Sequence, residues 1–205
     1  INQNNYNKST TINFTSNDVI TAYFTGTAQT TNVVLTEINY NSSNTAEAGD
    51  WIEIKNNASY ELDMSAWKFK DEDDQHNFTF PTGTVLGAGA YLVLASDLVK
   101  FSEIFPTVSN VIGDYGFDFS NGGESLRLFN HKDSLIRSVY YQDQLPWPAE
   151  ADGQGYTLEI KNILGDLNIG TNWFKGCLGG SPGGPYMAPA LTVSTSGSLV
   201  ICLGD

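Results

Sequence analysis

The even spacing of short apolar runs constrains this chain more than any other feature. VVLTEINY (residues 33–40), WIEIKN (51–56), WKFKD (67–71), HNFTF (76–80), AYLVLA (90–95), SLRLF (125–129) and LIRSVYY (135–141) each have about a strand's length, with Gly, Asn, Asp or Pro between them. In WKFKD and SLRLF every second residue is apolar, which sends one face of a strand to a core and leaves the other polar. Helical periodicity is nearly absent. The best stretch is LVKFSEIF (98–105), with Ser96 and Asp97 as N-cap residues and Pro106 as a stop. Regularly spaced strands with turn signals between them predict an antiparallel sandwich or barrel. Trp67, Phe80, Tyr91, Leu94, Leu126, Val139 and Trp173 are the expected core.

Charge narrows the partners. The 205 residues carry 23 acids against 10 bases, a formal charge of −13, and no window offers the basic stripe that displaces counterions from nucleic-acid phosphates. An anionic membrane surface is disfavoured for the same reason, and no apolar run approaches the roughly 20 residues of a bilayer span. Charged residues make up only 16%, so the surface leans on Asn, Ser, Thr and Gly, as in exported β-rich proteins. The chain opens on Ile1 and reads as a mature or excised segment. Its two cysteines, Cys177 and Cys202, form no CxxC or Cys/His cluster, which excludes a thiolate metal site.

An ordered series of motifs resembles the lamin tail domain. The series runs LTEINYN (35–41), DWIEIKN (50–56), LDMSAWKFKD (62–71), FTFPTGTVLGAGAYLVL (78–94), SVYY (138–141), DGQGYTLE (152–159), NW (172–173) and SPGGP (181–185). Thr36, Ala66 and Arg137 depart from the family's usual asparagine, glycine and aspartate. The resemblance implies an all-β, immunoglobulin-like antiparallel β-sandwich, known from nuclear intermediate filaments and from exported bacterial proteins. It places that sandwich at residues 31–186. Residues 1–30 look like the remnant of a preceding β-repeat plus a linker, and 187–205 like a linker and the start of a following immunoglobulin-like repeat. Cys202 then belongs to that next repeat, and two free thiols are expected.

Candidate sites are few. DEDDQHNF (71–78) concentrates acids, but as an EF-hand loop it would need glycine and glutamate where His76 and Thr82 stand. Asp71, Asp73, Asp74 and, in the DGQG loop, Asp152 remain the candidate metal ligands. They would hold calcium weakly, and no other cofactor is implied. Gly153 and Gly155 read as turn residues, with Asp152 bonding its own backbone. Glu37 and Glu53 sit inside strands between aliphatic residues. Two carboxyls in one neighbourhood are what a glycosidase needs, yet no sugar-platform aromatics accompany them at matching spacing. They read as structural carboxylates that accept from loop backbone or pair with Arg127 or Arg137. There is no GxSxG, and His76 and His131 read as exposed turn residues without a catalytic partner.

The expected function is therefore a non-enzymatic interaction or spacer module of a secreted or cell-surface bacterial protein. Its partners would be neighbouring domains of the same chain and a protein or glycan ligand. A carbohydrate- or calcium-dependent binding module serving a surface enzyme is the alternative.

Overall fold

The computed structural model describes residues 32–186, so the expectations placed on residues 1–30 and 187–205 lie outside the described residues. The strands are β1 (Val33–Asn39), β2 (Trp51–Asn56), β3 (Leu62–Asp63), β4 (Lys68–Lys70), β5 (Phe78–Thr79), β6 (Val85–Leu86) and β7 (Tyr91–Ala95). Helix α1 (Leu98–Ile104) intervenes before β8 (Val111–Gly113), β9 (Gly123–Phe129), β10 (Leu135–Gln142), β11 (Leu158–Ile160) and β12 (Trp173–Lys175). One sheet has the order β12-β11-β1-β2-β7-β8 and a second the order β10-β9-β4-β5, while β3 and β6 form a separate pair.

The core is the space between the two large sheets. Leu35, Ile38, Ile52, Ile54, Leu94 and Leu158 come from the first sheet, and Phe69, Leu126, Leu128 and Val139 from the second. All pack into one cluster with Trp67, Trp147 and Trp173. The molecule is an immunoglobulin-like β-sandwich, and all four tryptophans are buried. Trp147 stacks on Trp173 with ring centroids 5.9 Å apart and closes one end of the core.

Three sequence expectations need correction here. The pairing is antiparallel except at one edge, where β7 and β8 run parallel. Parallel neighbours need a crossover, and α1 provides it between them. Asp97 caps that helix, accepting from Val99 N at 2.9 Å and Lys100 N at 3.0 Å. Its buried Phe101 packs edge-on against Trp51, so the outer face of the six-stranded sheet is itself covered by an apolar layer that includes Ala48, Val93 and Ala95.

That layer explains the second correction: of the expected core residues, Tyr91 alone is only half-buried, because β7 turns Tyr91 to the outer face and Leu92 and Leu94 inward. The third concerns the thiols. Cys177, in the half-exposed segment after β12, is disulfide-bonded rather than free, while Cys202 lies outside the described residues. Ala66, which replaces the family's glycine, occupies the left-handed region at φ 58, where glycine carries no steric cost.

Candidate functional site

A β-bulge sets up the most unusual chemistry in the molecule. In β1, Leu35 pairs with Ile54 and Glu37 with Glu53, leaving Thr36 as the extra residue. Strict alternation would place Leu35 and Glu37 on one face. The bulge instead keeps Leu35 in the core and turns Glu37 outward, level with Glu53 of β2. On the other side of β1, Glu37 pairs with Glu159 of β11. Three glutamates therefore stand side by side across three adjacent strands, in the order Glu159–Glu37–Glu53. Directly opposite side chains in such a row have Cβ atoms about 5 Å apart.

All three are buried, at 3%, 0% and 1% exposure. What covers them is a strap, residues 176–186, that leaves β12 and crosses the outer face without regular secondary structure. Ser181 N donates to Glu37 Oε1 at 2.9 Å, and Gly183 N donates to Glu53 Oε2 at 2.8 Å. The Ser181 hydroxyl donates to Glu159. From beneath, Thr157 Oγ1 donates to Glu37 at 2.6 Å and Thr36 Oγ1 to Glu53 at 2.7 Å. The strap lies so close that a Cβ on Gly180 would sit 2.7 Å from Glu37 Oε1 and 3.0 Å from the Trp51 ring. Its φ of 82° also demands glycine.

Burial raises all three acids, because a carboxylate loses its water without gaining a cation. Glu53 is pushed up to about 7, with the Thr36 hydroxyl and the strap amides partly offsetting the burial and Glu159 adding to it. Glu159 is likewise pushed up to about 7 by burial, partly offset by its bonds to Ser181 and Glu37. Glu37 rises well above the ordinary glutamate range, through burial first and the charge of Glu159 second. Among the described residues Glu37 Oε2 has no hydrogen-bond partner, and the two strands pair Glu37 directly with Glu159.

The expected arginine partners are elsewhere. Arg127 donates to the Asp71 carbonyl and pairs with Asp74 at 3.2 Å, and Arg137 donates to the Val33 carbonyl at 2.8 Å. The aromatic residues judged missing near the glutamates are present. A cleft of about 520 Å³ opens beside Glu53 and Glu159, walled by Tyr91, Phe174 and Tyr186. Sequence spacing could not reveal them, since they arrive on β7, on β12 and at the end of the strap.

The acidic turn is arranged differently. Asp71 is buried, with Oδ1 accepting from Asp73 N at 2.8 Å and Oδ2 bonded to His76 Nδ1 at 2.6 Å. His76 is therefore not a free turn residue. It stacks on Phe117 with centroids 4.8 Å apart, and the hydrogen bond to Asp71 raises its pKa. Asp73 accepts from Gln75 N at 2.8 Å, and exposed Asp74 pairs with Arg127. Asp152 accepts from the Asn41 side chain at 2.7 Å rather than from its own backbone, while Gly153 and Gly155 do take positive φ. Each candidate ligand thus has its own partner. Among the described residues no group of three or more His, Cys, Asp or Glu is arranged to hold a metal ion.

Two further acids escaped the sequence reading. Asp50 and Glu124 are each pushed up to about 7 by burial. The loop between β8 and β9 caps them, with Phe119 N donating to Asp50 at 2.6 Å and Ser120 N to Glu124 at 2.9 Å.

Residues 26–143 match the family model of the Lamin Tail Domain. No curated protein matches the chain. Glu37, Glu53 and the acidic turn fall inside the matched span, whereas Glu159 and the whole strap fall after it.

Proposed function

The chain belongs to the lamin tail domain family, and from that premise we propose that it serves as a non-enzymatic interaction or spacer module in a secreted or cell-surface bacterial multidomain protein. One contrast carries the reading. The buried carboxylates that could do acid–base work are held by the fold's own donors, while part of the apolar surface that folding leaves exposed lies on two neighbouring loops and the strand beside them. Leu145 is 87% exposed and Leu164 77%, with Ile169 and Tyr140 also exposed. The loop carrying Leu164 and Ile169 touches both the other loop and β10: Gly170 lies against Pro146 and Trp147, and Asn168 Oδ1 accepts from Tyr140 N of β10 at 2.8 Å. Exposed apolar side chains grouped this way mark protein contact. The disulfide at Cys177 favours an oxidising compartment and so an exported protein. Among the described residues no helix is long and apolar enough to cross a membrane.

A second reading, a carbohydrate- or calcium-dependent binding module accessory to a surface enzyme, draws on the cleft walled by Tyr91, Phe174 and Tyr186 beside two carboxyls. Thermal melts with calcium and with a chelator, followed by a glycan array, separate the two. Protein contact requires an unchanged Tm and an empty array. A calcium-dependent rise in Tm or a saturating glycan puts the second reading in its place.

A further inference from the structure

The strap over the glutamate row has a construction that neither reading uses. Its side-chain hydrogen bonds to the six-stranded sheet converge on the row. Ser181 contributes its N–H to Glu37 and its hydroxyl to Glu159, and Gly183 contributes its N–H to Glu53. Beyond these, Gly176 N bonds Thr157 O at 2.9 Å, Gly179 N bonds Gly155 O at 2.6 Å, and Asn110 Nδ2 reaches Gly183 O at 3.2 Å. Three acids standing opposite one another on adjacent strands cannot all be ionised under such a cover without strong repulsion. We propose that residues 176–186 form a proton-locked clasp. The strap lies closed on the sheet while a proton is held within the Glu159–Glu37–Glu53 row, and it lifts when all three carboxyls are ionised. Acidity then sets how firmly the sandwich holds the chain that leads onward from Tyr186. The clasp is independent of what the loops or the cleft bind.

The surrounding charges do not relieve the row. Lys55 of β2 lies over the Tyr91 ring at 5.1 Å, Lys161 after β11 lines the cleft, and Lys175 of β12 pairs with Glu150 at 3.1 Å. Among the described residues no ion pair joins a lysine to the three glutamates. Lys100 and Glu103 of α1 are exposed to solvent. On the strap, the Tyr186 hydroxyl has its pKa raised by burial and by Glu159, so it stays neutral.

The direction of the switch follows from the raised acids. The closed form keeps protons that the lifted form releases, so closure is complete in acid and is lost as pH rises through about 7, where Glu53 and Glu159 titrate. Hydrogen exchange by mass spectrometry on the full chain, at about pH 5.5 and about pH 8.5 and corrected for intrinsic rates, tests this. The expected result is a loss of protection of about tenfold or more in 176–186 at the higher pH, with a much smaller loss in β9 and β10. Glu159→Gln, whose amide can donate to Glu37 at any pH, is expected to keep the strap protected under both conditions. Equal protection of the wild-type strap at both pH values overturns the clasp, and so does an equal loss throughout β9 and β10. If Glu159→Gln fails to fold, a carbon-13 titration of the wild-type glutamate carboxyls decides. Carboxyls titrating near neutrality in step with strap exposure uphold the proposal, and titration of every glutamate in the ordinary acidic range overturns it.

Discussion

The glutamate row and the acidic turn hold the same kind of side chain and have opposite fates. In the turn at residues 71–76, each aspartate finds a partner within a few positions or at an arginine, and two of the three stay in water. In the row, acids from three distant strands are pressed together beneath a lid and find amides and hydroxyls but no cation. Acid density along the sequence is high in the turn and low in the row, yet the electrostatic strain lies in the row. Charge matters through desolvation, not through count.

The strongest way to break the contrast is to remove the row's far half. A chain ending at Asp143, where the family match stops, keeps the whole turn but loses β11, β12 and the strap. Burial of Leu158 and Trp173 goes with them, and a large core side chain alone is worth about 3–5 kcal/mol against a typical stability of about 5–15. Circular dichroism is expected to show no cooperative melt.

Substitutions inside the row come next. Gly180→Ala drives a Cβ toward Glu37 and the Trp51 ring at positive φ, and a loss of about 1–3 kcal/mol is expected from denaturant titration. Glu53→Gln sets an amide donor against Thr36 or Gly183, for a loss of about 1–3 kcal/mol and a lower Tm at about pH 5, where Glu53 is protonated in the fold. A Tm equal to wild type would show that the row is loosely held.

The pH profile sharpens the comparison. Glu53 is raised from 4.5 to about 7 in the folded chain, so its contribution to stability is full below about 4.5 and declines as pH rises toward and through 7. The slope is at most about 1.4 kcal/mol per pH unit for one such group. Asp50 and Glu124 act with the same sign, so Tm is expected to fall between about pH 5 and 8, more gently in Glu53→Gln. His76 is also raised, so its stabilisation is present in acid and lost as pH climbs past its folded value. Its partly exposed pair with Asp71 makes that change the weaker one, and His76→Gln should leave most of the slope in place. A flat wild-type profile would contradict the whole account of the row.

The smallest effect belongs to Asp73→Asn. The new side chain still accepts from Gln75 N, the site is exposed, and the change is expected to stay within about 0.5 kcal/mol.

Much of this was legible beforehand. The strand runs and DGQG corner were readable because their signals are local, and so was the helix with Asp97 before it and Pro106 after it. Tyr91 was misread and the bulge at Thr36 went unseen, for one reason each. Alternation shows that Tyr91 and Leu92 face opposite ways but not which face is the core, and the outer face turned out to be covered as well. The bulge at Thr36 is a matter of register with β2, and nothing in LTEIN announces it. Glu159 sits in TLE as one more acid among 23 until β11 is laid against β1.

The sequence alone determined that the chain builds a β-sandwich and where its corners turn, since alternation, glycine positions and side-chain-to-backbone turns act over two to four residues. Tertiary structure decided which acids meet, which are dried out and what bonds them. Those outcomes depend on contacts such as Glu37 to Thr157 and Glu37 to Ser181, which join residues 120 and 144 positions apart. Strand register fixes such contacts, and no local pattern encodes it.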